Sequence, residues 1–303
     1  MVDLHDPTPL AAGGPNAVSR MLTLLGDEWN LLIIQQALLG ATRYGEFLAR
    51  LPISNAVLTA RLRALTEGLL FERLTYQTNP VRTEYVLTPR GRALWPMMVS
   101  IWEWERHWVS EHRDALPAMQ HTLCGRDFSP VLTCGSCGQR ADAPEVRVRW
   151  GPSGSWPRSV PTSSTRRRTG SGSEPGLFPE TMSVFGNRWS AAILIAAFLG
   201  ATRFGDFQSW LGAPPASIST RLRTFCANGV MVGADDYQLT EKGRAFFPVL
   251  MTALSWSQNW FHAAEGAAVT ITHRPCRGTL IATLACGECT APLHGSEIVV
   301  TAP

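Results

Sequence analysis

At 303 residues, 45% hydrophobic and 17% charged, the chain is long enough for two domains with cores of their own and is too apolar for a disordered polymer. The net charge of +3 is too small to argue for nucleic acid by itself. No apolar run reaches the roughly 18 residues of a membrane helix, and the first residues, with Asp3 and Asp6, lack a basic-then-apolar leader pattern, so a soluble, cytoplasmic protein is expected. In chain order, Val18, Met21, Leu22 and Leu25 fall at helical spacing, with Gly26 as the stop. Trp29 to Leu39 reads as a strongly apolar helix stopped by Gly40, and Arg43 to Leu51 as a shorter one ended by Pro52. Ser54 stands where an N-cap belongs, and the helix behind it carries Leu58, Leu62, Leu65 and Leu69 as one buried stripe. Two strand-like runs follow, Leu70 to Tyr76 and Arg82 to Leu87, separated by the turn signal Thr78-Asn79-Pro80. Thr88-Pro89 then starts one last long helix bearing Trp95, Trp102, Trp104 and Trp108.

The chain repeats itself. Gly40–Phe47 (GATRYGEF) recurs as Gly200–Phe207 (GATRFGDF), and Arg61-Leu-Arg63 as Arg221-Leu-Arg223, both 160 residues on. Leu87-Thr-Pro-Arg-Gly-Arg-Ala93 recurs as Leu239-Thr-Glu-Lys-Gly-Arg-Ala245, and His121, Cys124, Cys134 and Cys137 as His273, Cys276, Cys286 and Cys289, now 152 residues on. The second copy has therefore lost eight residues in its hairpin. Residues 151–176 are rich in Gly, Pro, Ser and Thr, carry Arg166-Arg167-Arg168 and hold the whole charge excess, which reads as a flexible linker.

Helices joined by a tight turn and followed by a β-hairpin make a winged helix-turn-helix. The expected fold is therefore α+β, mainly helical, with winged helix-turn-helix domains at 1–115 and 177–265 and small zinc-ribbon-like Cys3His modules at 116–150 and 266–303. The leucine stripe holds one face of the Ser54 helix and leaves the other for a DNA major groove. Ala56, Thr59, Ala60 and Arg63 lie on that free face, where small residues allow close approach and Arg63 can fork onto a guanine or a phosphate. Arg61 lies nearer the core, open to either a phosphate contact or an internal ion pair. The second copy offers Ser219, Thr220, Arg221 and Arg223, but its helix begins Pro214-Pro215-Ala216, and its short wing, Gly233-Ala-Asp-Asp236, is acidic.

Trp29-Asn-Leu-Leu-Ile-Ile, Arg43-Tyr-Gly-Glu-Phe, Leu58-Thr-Ala-Arg-Leu-Arg, Gly68-Leu-Leu, Pro80-Val-Arg-Thr-Glu-Tyr-Val-Leu-Thr88 and Gly91 resemble the HxlR-type winged helix-turn-helix regulators. The resemblance spans about 18–110 and, more weakly, 178–262. It implies a homodimeric repressor or activator fold, paired through first and last helices, that binds double-stranded palindromic operators. It assigns the helix from Ser54, Asn55 and Ala56 onward to base readout and the hairpin tip around Arg82 to the flanking groove. Because the unit is duplicated here, the two copies are expected to pair within one chain on a palindromic or half-palindromic site, as a monomer with an internal pseudo-dimer or as a dimer of tandem chains. The pairing is expected through the 18–26 and 178–186 helices and the tryptophan-bearing ones. A small-molecule effector is a further partner that the sequence leaves unnamed.

Six of the seven cysteines form two identical sets, His121-x2-Cys124 with Cys134-x2-Cys137, and His273-x2-Cys276 with Cys286-x2-Cys289, each with nine residues between its pairs. Such paired knuckles suit structural zinc, up to two ions per chain. The competing reading is a thiol-based redox sensor, since CxxC pairs also exchange disulfides. Another is a protein-interaction module that has lost DNA binding. Cys226 stands apart as a core thiol. The sequence carries no Gly-rich phosphate loop, nucleophile elbow or HExxH, and no enzyme is expected.

Overall fold

The computed structural model describes residues 4, 6–113, 115–160 and 179–301. The first copy runs β1 (Thr8–Leu10), α1 (Ala17–Leu25), α2 (Glu28–Leu38), α3 (Tyr44–Arg50), α4 (Asn55–Glu67), β2 (Phe71–Thr78), β3 (Val81–Leu87), α5 (Pro89–Arg92) and α6 (Trp95–Trp108). Its tail holds β4 (Ala118–His121), β5 (Arg126–Asp127), β6 (Pro130–Cys134), β7 (Val146–Trp150) and α7 (Trp156–Ser159). The second copy runs α8 (Pro179–Val184), α9 (Arg188–Phe198), α10 (Phe204–Leu211), α11 (Pro215–Ala227), β8 (Met231–Val232), β9 (Gln238–Leu239), α12 (Glu241–Arg244), α13 (Phe247–Trp260) and β10 (Phe261–Ala263). Its tail is β11 (Val269–His273), β12 (Ala282–Cys286) and β13 (Ile298–Thr301). Among the described residues no helix is long and apolar enough to cross a membrane.

Local chemistry sets most boundaries. Asn16, Asp27 and Ser54 cap α1, α2 and α4, each side chain accepting a backbone N–H of the first turn. Gly40 and Gly200 follow α2 and α9 at φ +93° and +102°, where a side chain would be strained. The leucine stripe of α4 is one residue shorter than expected. Leu58, Leu62 and Leu65 are fully buried, but Leu69 lies beyond the helix end at φ +59° and Leu70 takes the core position. The expected last long helix is two helices. Pro96 lies in the first turn of α6, and Pro248 does the same for α13, because a proline ring clashes with the carbonyl four residues back and interrupts a continuous helix.

Buried apolar residues from both copies form one continuous core. α1 lies against α13, α8 against α6, and α6 against α13, so each copy's first helix meets the other copy's last long one. Trp104 Nε1 donates to the Lys242 carbonyl at 3.0 Å and Trp256 Nε1 to the Arg90 carbonyl at 2.8 Å. Donors and acceptors are both 152 positions apart, so the pair is related by a pseudo-twofold. Gly26 sits at the crossing, where a Cβ would come within 3.1 Å of the Arg188 Cα, and the Glu28 N–H donates to the Gly186 carbonyl. The buried Glu105 carboxylate accepts from the Thr181 N–H at 2.7 Å and faces His112 Nδ1 at 2.9 Å. β1 pairs in parallel with β10, and Arg90, buried beneath them, donates to the Asp6 carbonyl and Thr8 hydroxyl and packs over the rings of Trp260 and Phe261.

The tails differ from the two separate modules expected. Their long ladders join one copy to the other: β7 with β11, β6 with β12, and β4 with β13, all antiparallel. The packed structure also runs ten residues into the segment read as linker. Asn16 Nδ2 donates to the Ser153 carbonyl and the Ser159 hydroxyl, and Trp156 stacks on Trp210. The Arg166–Arg168 triplet lies outside the described residues.

Candidate nucleic-acid interface and metal centres

α4 presents the face that its leucines leave free. Ser54, Asn55, Ala56, Thr59, Ala60 and Arg63 are all exposed. Arg63 is 79% exposed, its Nε donating to Glu67 of its own helix at 2.8 Å. Arg61 makes the other choice left open by its position, an ion pair with Asp27 at 2.8 Å that ties α4 to the start of α2. One contributor to this face was not singled out from sequence. The Tyr44 hydroxyl lies 2.9 Å from the Asn55 carbonyl, 3.1 Å from Asn55 Oδ1 and 3.0 Å from the Thr59 hydroxyl, fixing α3 across the first turns of α4. Phe204 stands at that position in the second copy and cannot make these bonds, a difference legible in the sequence.

The first wing is an eight-residue and a seven-residue strand with a bulge between Thr75 and Gln77. Arg73 and Arg82 are exposed on it, and Arg43, at the start of α3, packs over the Tyr76 ring. Glu46 steadies that start. Its carboxyl is held below the usual carboxylate range by the Arg43 and Thr42 backbone N–H groups, which donate to it. The second copy differs throughout. On α11 Thr220 and Arg223 are exposed, but Ser219 and Arg221 are half-buried. Thr220 spends its hydroxyl proton on the Ala216 carbonyl. β8 and β9 are two residues each, and Asp235 and Asp236 are exposed at the tip.

Six of the seven cysteines gather with two histidines in two tetrads, and each tetrad is shared between copies. One is His121, Cys124, Cys286 and Cys289; the other is Cys134, Cys137, His273 and Cys276. This corrects the expectation of one self-contained Cys3His module per copy. The cause is the course of the nine-residue spacer. Gly125 turns the chain at φ +68°, and β6 then carries Cys134 away from His121 by about 3.3 Å per residue. Antiparallel pairing of β6 with β12 puts the two CxxC knuckles at opposite ends of one ladder, Cys134 opposite Ala282 and Cys286 opposite Pro130. Each knuckle therefore meets the other copy's His-x2-Cys turn.

The donor atoms of each tetrad all lie within 4.8 Å of one another. His121 Nδ1 is 3.7 Å from Cys124 Sγ and 3.4 Å from Cys289 Sγ, and Cys124 Sγ is 4.0 Å from Cys286 Sγ. His273 Nδ1 is 3.4 Å from both Cys137 Sγ and Cys276 Sγ. A tetrahedral zinc site with ordinary Zn–S and Zn–N bonds has edges of about 3.8 Å between sulfurs and about 3.6 Å between sulfur and nitrogen. The donor set fits the ion. The remaining ring nitrogens also fit: His273 Nε2 donates to the Arg140 carbonyl at 3.0 Å, which fixes the proton there and leaves the Nδ1 lone pair for an ion at the centre of the tetrad. His121 Nε2, buried and otherwise unpartnered, faces Glu297 at 3.6 Å. Burial opposes ionisation of Cys134, but backbone N–H groups of Ser136, Ile281 and Cys137 outweigh it and bring the thiol down to about 7. The residue after each knuckle is left-handed in all four cases, at Gly125, Gly138, Arg277 and Thr290. That two of these are not glycine shows how firmly the knuckle geometry is imposed.

Residues 24–113 and 184–265 match the family described as HxlR-like helix-turn-helix, together more than half of the chain. The chain belongs to the HxlR-like helix-turn-helix family. Both matched stretches stop before the tails, so the Cys/His tetrads lie outside what the HxlR match covers. An uncharacterized HTH-type transcriptional regulator of Mycobacterium tuberculosis is 35% identical over 136 residues, 45% of this chain and 86% of that protein. The HTH-type regulator YvaP of Bacillus subtilis is 36% identical over 91 residues, 30% of this chain and 84% of that protein. Among solved structures, a proposed transcription factor of Pseudomonas aeruginosa is 28% identical, with 47% of this chain and 97% of that chain covered and a TM-score of 0.35. The two curated regulators are each similar to less than half of a chain in which the family match occurs twice.

Proposed function

We propose that the chain is a transcriptional regulator that binds double-stranded DNA sequence-specifically as an intrachain pseudo-dimer on a palindromic or half-palindromic operator. The observation that carries this reading is the exposed α4 face, small and polar from Ser54 to Ala60 and ending in Arg63, beside a long wing bearing Arg73 and Arg82. Ala56 and Ala60 let the helix backbone approach the groove floor. Arg63 leaves its weak, solvated pairing with Glu67 for a base edge or a phosphate. Arg82 neutralises a phosphate at the flanking groove. Tyr44 orients Asn55 and Thr59 for the same surface. Arg61 acts indirectly, through its ion pair with Asp27, by setting the angle of α4.

The second copy serves mainly as the dimer partner, with Thr220 and Arg223 as its accessible contacts and Ser219 and Arg221 set back. The pseudo-twofold bonds of Trp104 and Trp256 and the half-chain extent of the relatives support the pairing of copies within one chain. His121, Cys124, Cys286 and Cys289 would hold one structural zinc ion, and Cys134, Cys137, His273 and Cys276 another. When bound, zinc supplies cross-links that tie one copy's tail to the other. Electrophoretic shift of random-sequence and selected duplexes at several salt concentrations tests the DNA reading. Specific binding that weakens with salt supports it, and no binding at low salt refutes it.

A further inference from the structure

Two crevices occupy equivalent places between the copies, and one has more than twice the volume of the other. The larger is a cavity of about 570 Å³ walled by α9 and α13 of the second copy, β7 and α1 of the first, and Trp156 and Trp210. The smaller, about 230 Å³, lies between α2 and α6 of the first copy and β13 of the second. The pseudo-twofold relates them: Phe247 and Leu254 stand where the first copy has Trp95 and Trp102, and Val146 and Val148 where the second has Ile298 and Val300. Trp102 narrows the smaller crevice, its indole N–H donating to the Pro117 carbonyl at 3.0 Å. The shorter Leu254 leaves the larger one wide.

We infer that the larger cavity is a binding site for a flat, apolar or aromatic molecule bearing one anionic group. Its volume falls in the range of small-molecule sites, roughly 300–1,000 Å³. Its walls are aliphatic and aromatic, with Trp156 stacked on Trp210 at 26° and 5.9 Å and set edge-on to Trp150. Among the described residues, the charged ones that border it are all arginines, Arg147, Arg149 and Arg274, and no carboxylate lines it. None of the three makes an ion pair among the described residues, so their charge is available to an anion at the rim. The site does not depend on the DNA-binding reading and stands or falls by direct binding.

The test uses two fluorescent probes on the full chain: 8-anilino-1-naphthalenesulfonate, an aromatic anion, and N-phenyl-1-naphthylamine, the same scaffold without the charge. One sulfonate probe should bind per chain, about ten-fold tighter than the neutral amine. Leu254→Trp, which places in the second copy the bulky side chain that narrows the first copy's crevice, should weaken both probes at least ten-fold. The exposed triple Arg147→Gln, Arg149→Gln, Arg274→Gln should lower affinity for the sulfonate alone, to that of the amine. Equal affinity of the two probes for the unaltered chain, or undiminished binding to a folded Leu254→Trp chain, overturns the inference. Should Leu254→Trp fail to fold, the arginine triple decides: unchanged preference for the sulfonate overturns the proposal, and its loss supports it.

Discussion

Pairs of cysteine substitutions distinguish shared tetrads from self-contained ones, because the two arrangements predict opposite outcomes. Cys124 and Cys289 belong to one tetrad although they lie in different copies, while Cys124 and Cys137 lie in one copy but in different tetrads. Cys124→Ser with Cys289→Ser should therefore leave one zinc ion per chain, and Cys124→Ser with Cys137→Ser none. Zinc-peptide binding energies of about 10–16 kcal/mol, shared equally among four ligands, make each ligand worth roughly 3 kcal/mol, enough for a mild chelator to strip a damaged site. Stability should follow. Cys124 and Cys286 are 162 residues apart, and cross-linking across such a separation restricts the unfolded chain by about 5 kcal/mol on the chain-entropy estimate. A link from Cys124 to Cys134 within one copy would give only about 3 kcal/mol. At about 2 °C per kcal/mol for a unit of this size, the variant with no metal should melt roughly 10 °C below the one that keeps a shared cross-link. Elemental analysis and calorimetry read both quantities. One retained ion in the Cys124/Cys137 pair and none in the Cys124/Cys289 pair would refute the shared arrangement.

Arg63→Ala should cost about 1–3 kcal/mol of operator binding, with specificity relaxed at one base position, and Arg223→Ala should cost less, because the second copy lacks the basic wing that would hold α11 in register. Equal losses in a binding titration would show that both copies read DNA alike. Arg82→Ala should weaken all sequences together and reduce the slope of log affinity against log salt by about one, a fit to titrations at four salt concentrations. Tyr44→Phe, which copies the second repeat's Phe204, should reduce operator affinity by about 1 kcal/mol and leave the melting temperature nearly unchanged. A large loss of stability with no change in DNA affinity would make Tyr44 purely structural.

The winged units were legible because their punctuation is local. Ser54, Gly26 and Gly40 set their helix ends through contacts within a turn or two. The breaks before α6 and α13 were also written in Pro96 and Pro248, but the apolar run of tryptophans and leucines masked them. The tails were harder. An identical His-x2-Cys and Cys-x2-Cys spacing in each copy permits either pairing of knuckles, and only the strand registers, set between residues some 150 apart, choose the shared one. The start of the Gly/Ser/Pro-rich segment misled for the same reason. Its order comes from Asn16 and Trp210, which lie far from it in sequence. Tyr44 belongs to the Arg43-Tyr-Gly-Glu-Phe47 motif, but what its hydroxyl does depends on how α3 crosses α4.

Selection from random duplex DNA, followed by sedimentation of the chain with the selected site, tests the pairing of two copies on one operator most directly. An intrachain pseudo-dimer should enrich a motif of two related half-sites about one helical turn apart, roughly 10 base pairs, bound by a single chain. No enriched motif, or two chains on each duplex, would contradict it.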